Sequence, residues 1–315
     1  MKKIFSTVVL ICAALAAMAQ VRVATPNIEL ILNAEPGQEL QIAYFGGRLA
    51  DGDLANLQEA GAPNHNAYPP YGFNCPSEAS LAVTHMDGNM STVLKVESVS
   101  QADEPSAKVT RIRLKDTVYP FYVTVCYRAY QDVDMIETWA EIENLEKKPV
   151  TLTRFDSGYL PIRVGDVWVS HLYGTWANEG RLAQEPLERG MMTIKNKDGV
   201  RNAHTDHAEV MFSLDGKPRE NAGRVIGAAL CYSGNYELRI DTRDTDYHQF
   251  FAGINPDNSS YSLASKEVFK TPELALTYSE EGLSGASRNF HRWARNYKIA
   301  HGNKPRKILV NSWEG

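Results

Sequence analysis

The sequence predicts a mainly β protein: a large antiparallel β-sandwich, then one helix, then one short apolar strand. Three observations lead there. Between residues 21 and 278, apolar side chains alternate with period two or cluster in short runs broken by Gly, Pro, Asn and Asp. From residue 283 to 301 the period becomes helical, with Phe290, Trp293, Ala294 and Tyr297 on one face. A compact apolar run follows, Lys307-Ile308-Leu309-Val310-Asn311, of the kind that suits a strand buried on both faces.

Taken in order, the first element is not part of the fold. Lys2 and Lys3 precede an apolar stretch that ends in Ala17-Met18-Ala19. This is the pattern of a signal peptide over residues 1–19, cut after Ala19. Cys12 sits inside the apolar stretch without the small residues that a lipid-attachment signal places before its Cys. Release is therefore expected, to the periplasm or the medium. The mature chain would keep 31 basic and 38 acidic side chains, a net charge of −7. No nucleic-acid partner is expected, because phosphate neutralisation needs a positive surface. No membrane partner is expected either, since no later apolar run approaches the about 18–20 residues of a spanning helix. Cys75, Cys126 and Cys231 remain. An odd, sparse set without a C-x-x-C pair is neither a disulfide framework nor a zinc site. Cys126 and Cys231 lie in apolar runs and are expected as buried thiols.

The strand signals begin with Glu29-Leu30-Ile31-Leu32 and Leu40-Gln41-Ile42-Ala43-Tyr44-Phe45. They continue through Lys108-Val109-Thr110-Arg111-Ile112-Arg113-Leu114 and Met135-Ile136-Glu137-Thr138-Trp139-Ala140 to Tyr236-Glu237-Leu238-Arg239-Ile240. Many short strands at this spacing form one large sandwich, here residues 20–282. Residues 51–78 and 176–208 read as two long irregular segments, and loops of that length are usually functional or packed against something else. The helix is expected over 283–304, with Ser284 as its N-cap and Gly302 and Pro305 ending it. A lone strand at 305–315 cannot satisfy its backbone by itself. The chain is thus expected to be part of a longer protein; the alternative is a strand added to the sandwich edge.

These motifs together carry a resemblance. Ala43-Tyr44-Phe45-Gly46-Gly47-Arg48-Leu49, Tyr68-Pro69-Pro70-Tyr71-Gly72, Leu172-Tyr173-Gly174-Thr175-Trp176-Ala177-Asn178-Glu179 and Cys231-Tyr232-Ser233-Gly234-Asn235-Tyr236 occur in this order. Tyr278-Ser279-Glu280-Glu281-Gly282-Leu283, then Phe290-His291-Arg292-Trp293, and finally Asn311-Ser312-Trp313-Glu314 complete the series. In order and spacing the chain resembles the N-terminal part of glycoside hydrolase family 36, the bacterial α-galactosidases (melibiases). Two departures stand out. Ala67 replaces the usual acid before Tyr68, and residues 199–207 lack the family's Asn-Pro-Phe.

The resemblance implies a β-supersandwich, a linker helix and the first strand of a β/α barrel. It implies an exported, retaining enzyme acting on terminal α-D-galactosyl residues of oligosaccharides, with no cofactor and no metal. Retention needs two carboxyl groups about 5 Å apart, and in a barrel these stand at strand C-termini. The resemblance puts both beyond residue 315, so no catalytic residue is expected here and the chain alone should be inactive. Trp313, just past the last strand, is a candidate to stack on the apolar face of galactose. Glu314 beside it is a candidate for sugar hydroxyls, as are Asp51 and Asp53 in the first long loop, although solvated turn acids is the plainer reading of those two. Trp176 and Glu179 are expected to pack the sandwich against the barrel. His204, His207 and Asp206 do not make a zinc site, nor Asp241, Asp244 and Asp246 a calcium loop, because the frame and spacing are wrong. An α-N-acetylgalactosaminidase, a non-catalytic carbohydrate-binding sandwich, and an oligomerisation domain that builds a homo-oligomer stay open as alternatives.

Overall fold

The computed structural model of the chain describes residues 20–50, 53, 66–72, 78–201 and 205–312. The expected signal peptide lies outside them, as does Cys75. In chain order the strands are β1 (Gln20–Ala24), β2 (Ile28–Asn33), β3 (Gln41–Gly47), β4 (Leu81–Thr84), β5 (Leu94–Glu104), β6 (Ala107–Asp116), β7 (Phe121–Tyr130), β8 (Ile136–Asn144) and β9 (Val150–Ile162). Then come β10 (Trp168–Tyr173), β11 (Arg181–Pro186), β12 (Gly190–Lys195), β13 (Asp206–Ser213), β14 (Val225–Leu230), β15 (Tyr236–Asp244), β16 (Tyr247–Ile254), β17 (Tyr261–Leu263), β18 (Val268–Lys270) and β19 (Leu274–Ser279). Helix α1 (Gly282–Trp293) follows and widens into a π-helical turn, Ala294–Lys298.

The expected sandwich forms. A ten-stranded sheet runs β11-β10-β13-β14-β19-β8-β7-β6-β5, with β18 also on β8; a six-stranded sheet runs β12-β15-β16-β9-β17, with β4 also on β9. A third sheet, β1-β2-β3, packs its Val21, Val23, Leu30 and Leu32 into the same core. Alternation decides which side chains enter that core. On β7, Val123, Val125, Tyr127 and Ala129 point inward, while Cys126 points out and joins Val109 and Trp139 in a small outer cluster. Arg128 and Lys270 each lie 4.9 Å from the Trp139 ring and cover it. Both described thiols are free. Burial pushes Cys126 up to about 12 and Cys231 up to about 11, so neither is a thiolate at neutral pH. Cys231 is half-buried rather than fully buried as expected.

The segment expected to be irregular at 176–208 instead holds β11 and β12. Both are edge strands, and β11 is exposed or half-exposed along its whole length. A strand with no buried face has no apolar alternation to read. Residues 307–311 pair with no strand among the described residues and add to neither sheet edge. Ile308, Leu309 and Val310 are almost fully exposed.

Helix α1 starts two residues before the expected N-cap. No side chain caps it. The N–H groups of Gly282, Leu283 and Ser284 instead donate to the carbonyls of Gly223, Arg219 and Glu220, at 3.0, 3.1 and 2.9 Å. A neighbouring turn thus satisfies the donors that a helix start leaves open. Gly282 permits this: its φ is +65°, and a Cβ there would sit 2.5 Å from the Arg219 oxygen. Ser284 hydrogen-bonds Glu220 from inside the helix.

One buried carboxylate ties α1 to the ten-stranded sheet. Glu137 on β8 is fully buried. It accepts from Arg128 Nη1 at 2.7 Å, Tyr130 Oη at 2.9 Å and Trp293 Nε1 at 3.0 Å, and Lys298 Nζ stands 2.7 Å away. Burial alone would raise its pKa; the bonds from Lys298 and Arg128 reverse this and hold the carboxyl below its usual value. Around it, Trp293 packs with Tyr130, Met135 and Ala275, and Phe290, Ala294 and Tyr297 flank the cluster, so the expected helix face is the buried one. Replacing Glu137 by Ala leaves the buried Tyr130 and Trp293 donors without this acceptor and takes a partner from the partly exposed Arg128 and Lys298; it should cost about 3 kcal/mol, read as a lower urea midpoint. Glu137→Gln, which keeps an acceptor for Tyr130 and Trp293, should lose less. Equal midpoints for wild type and Glu137→Ala would show that the contact contributes nothing.

Candidate functional site

The described structure places only one of the four expected sugar contacts. Asp53 is exposed in a helical turn, its N–H donating to the Ala50 carbonyl at 2.9 Å. Asp51, Trp313 and Glu314 lie outside the described residues. Trp176 is exposed at the tip of the β10–β11 hairpin, and Glu179 Oε1 accepts from the Ala177 N–H at 3.1 Å. His207 meets Glu209 at 3.1 Å. Among the described residues no three His, Cys, Asp or Glu side chains are grouped to hold a metal.

Three polar constellations do form. The first lies on the outward face of the six-stranded sheet. Alternation puts Glu237, Arg239 and Asp241 of β15 on that face, yet all three are buried. Arg239 Nη2 donates to Asp156 Oδ2 at 2.5 Å and to the Ala79 carbonyl at 3.2 Å; Nη1 reaches Glu78, and Nε stands 3.2 Å from Glu237 Oε2. Arg154 donates to Glu237 at 3.0 Å, and the Arg239 guanidinium lies 4.7 Å over the Phe251 ring. Tyr68 Oη donates to the Asp156 carbonyl at 2.8 Å. The Tyr-Pro-Pro-Tyr-Gly segment and Glu78 are therefore held at one ion pair. Three carboxylates face two guanidinium groups, and burial raises Asp156 to about 6 against the pull of Arg239 and Arg154.

The second has the order of a nucleophilic relay. His85 Nδ1 meets Glu146 Oε1 at 2.7 Å and Nε2 meets Thr92 Oγ1 at 3.1 Å. Tyr119 stacks on the imidazole at 3.8 Å. Thr92 is only 1% exposed, so no substrate reaches its hydroxyl. The group is a clamp: Glu146 Oε2 also accepts the Met86 N–H at 3.1 Å and fixes the turn after β4.

The third is the surface around α1. Gly227 of β14 lets the helix close on the sheet, since a Cβ there would meet the Phe290 ring at 2.6 Å. A polar cleft of about 650 Å³ opens on one flank, between α1 and the start of β2. Its carboxylates are engaged: Asp134 by Thr25 and Asn27, Glu281 by Arg288, Glu280 by Tyr278. Arg48 and Arg292 line it as well. An apolar groove of about 410 Å³ lies on the other flank, against β10 and β13.

The profile of the glycosyl hydrolase family 36 N-terminal domain matches residues 38–264. The chain belongs to glycosyl hydrolase family 36. It is 31% identical over 217 residues to the bifunctional alpha-galactosidase/sucrose kinase AgaSK of Mediterraneibacter gnavus, covering 68% of this chain and 23% of that protein. Against alpha-galactosidase Mel36A of Lactobacillus acidophilus it is 25% identical over 326 residues, covering 91% and 44%. The fold superposes on family 36 alpha-galactosidase AgaA of Geobacillus stearothermophilus with a TM-score of 0.84 and 24% identity, over 94% of this chain and 46% of that one. Variants of AgaA have been solved with stachyose and with raffinose. The chain thus spans less than half the length of these relatives.

Sequence reasoning missed the Asp156–Arg239 group of this family 36 sandwich. The alternating charges of Glu237, Arg239 and Asp241 were its only local trace, and they read equally well as a solvated face. The raised Asp156 value makes a testable sign. The folded state binds more protons than the unfolded state between the usual carboxylate range and pH 6, so this group's contribution falls as pH rises through 6. Relative to Asp156→Asn, the wild type should lose about 2 kcal/mol between pH 4.5 and pH 7.5, measured by urea unfolding of both proteins. A difference that does not change with pH would contradict the assignment.

Proposed function

We propose that this chain is the N-terminal sandwich region of an exported, retaining α-galactosidase that releases terminal α-D-galactosyl residues from oligosaccharides. The observation that carries the reading is the family 36 match over residues 38–264, within a fold that superposes along 94% of the chain on AgaA. AgaSK and Mel36A are named as alpha-galactosidases, and AgaA has been solved with stachyose and raffinose, which are α-galactosyl oligosaccharides. Export is supported by the charged start, short apolar core and Ala17-Met18-Ala19 of residues 1–19.

In this reading the sandwich does not perform the bond cleavage. Retaining hydrolysis uses a carboxylate nucleophile and a carboxylic acid/base about 5 Å apart, supplied by the catalytic part of the enzyme. Trp313 contributes a ring to the sugar-binding wall, and Glu314, Asp51 and Asp53 offer carboxylates to sugar hydroxyls.

Two measurements test this. The mature 20–315 chain should release no nitrophenol from a nitrophenyl α-galactoside, whereas the enzyme of family length that carries it should. Turnover by the 20–315 chain would place the active site within these residues and defeat the reading. In the longer enzyme Trp313→Ala should lower kcat/KM about tenfold, the loss of one aromatic contact of about 1.4 kcal/mol; wild-type kinetics would remove Trp313 from the site.

A further inference from the structure

We propose that Gln20, the first residue of the exported chain, closes into a pyroglutamate ring that caps β1 against trimming from its free end. The inference rests on the export reading above, because Gln20 gains an α-amine only when residues 1–19 are removed. Ala17-Met18-Ala19 places the cut directly before Gln20. Strand β1 begins at the same residue. Cleavage therefore leaves the new amine on a residue that already belongs to the sheet.

Alternation and the hydrogen-bond ladder both leave this residue free to react. Val21 and Val23 are buried in the core, so Gln20 and Arg22 project from the opposite face of β1. Gln20 pairs with Asn33, and the register runs without a shift to Ala24 opposite Glu29. Beyond that pair the Thr25 N–H donates to the Ile28 carbonyl at 2.9 Å. Bonded and non-bonded pairs alternate along an antiparallel ladder. The bonded pairs are thus Val23 with Leu30 and Val21 with Leu32, and Gln20 occupies a non-bonded one. Its nitrogen points away from β2, and β1 is the outer strand of its sheet. Converting that nitrogen to a lactam costs no ladder bond.

The step balances within one residue. An α-amine loses its proton at about pH 7.7–8.0, so part of it is an uncharged nucleophile near neutrality. The amine nitrogen attacks Cδ of the Gln20 side chain. The N–Cδ bond forms, the Cδ–Nε2 bond breaks, and Nε2 takes a proton from the amine and leaves as ammonia. The product is a five-membered lactam with one N–H and no charge. Both reacting groups are held on one residue, which is the proximity advantage of an intramolecular reaction, and no oxidant or co-reactant is consumed.

The residues behind Gln20 are worth protecting. Arg22 donates from Nε to Glu29 at 2.9 Å and from Nη2 to the Leu49 carbonyl at 3.2 Å, and Glu29 is fully buried. An aminopeptidase that passed Gln20 would take Val21 from the core and then Arg22, leaving a buried carboxylate without its cation. Chain ends are where such nicking concentrates. Enzymes of that class bind a free α-amine, which the lactam does not offer.

Mass spectrometry of the N-terminal peptide tests the proposal, on the longer enzyme expressed from Met1 and recovered after export. The peptide should begin at residue 20 and be lighter by one ammonia than its sequence requires. A free amine on Gln20 that persists through prolonged incubation at about pH 8 would overturn the ring and leave export standing. A chain that keeps residues 1–19, or starts elsewhere, would overturn the cleavage reading and the ring together. Gln20→Asn is the control, since the shorter side chain could close only a strained four-membered ring. That variant should keep its full mass and lose its first residue to an added aminopeptidase, while the wild type stays intact. Equal trimming of both proteins would overturn the protective role.

Discussion

The contact on which the arrangement of this molecule depends is the burial of Glu137. A carboxylate at zero exposure is tolerable only if its charge and lone pairs are answered, and here the answers come from both partners of a junction. Arg128 and Tyr130 belong to the sheet, Trp293 and Lys298 to the helix and the π-helical turn after it. The position of α1 is thus set by a polar contact of fixed geometry, with the apolar Trp293 cluster supplying area around it. The carbonyls of residues 219, 220 and 223 hold the other end of the helix. Fixed at both ends, α1 presents the same two flanks whatever follows it.

Much of the fold was legible because it obeys one rule, alternation on a half-buried strand. β6, β7, β8 and β15 each show it, and the change of period at residue 283 marks α1. The rule fails where its premise fails. β11 has no buried residue and β12 sends only Met192 and Ile194 toward the core, so their residues looked like loop. The helix start was misplaced because its cap comes from a turn sixty residues earlier, and no local capping residue records that. The run at 307–311 reads as a strand by composition, but a strand is a property of a pair, and this run pairs with no strand among the described residues.

The candidate site was less legible. The order of the Tyr-Ser-Gly-Asn, Trp-Ala-Asn-Glu and Asn-Ser-Trp-Glu segments pointed to the family, because spacing among several motifs survives when single residues change. It could not show that Asp156 and Arg239, far apart in the chain, meet under Glu78. Nor could it show that His171, on the face of β10 that carries Val169, lies beside Val210 with both ring nitrogens lacking a hydrogen-bond partner. Such features arise only when distant strands are brought side by side.

The two large sheets differ in how they are wired, and this bears on how the chain assembles. β5, β6, β7 and β8 are joined by successive hairpins, each pairing with the next. The six-stranded sheet instead needs β9 to find β16, with Tyr159 and Tyr247 separated by 88 positions. Closing a long loop before any contact rewards it is the slow step for β proteins. By contact order the meander of β5 to β8 is expected to form ahead of the pairing of β9 with β16. Those four strands make up only part of the ten-stranded sheet, whose β10, β11, β13, β14, β18 and β19 come later in the chain, so both walls of the sandwich are completed by its second half.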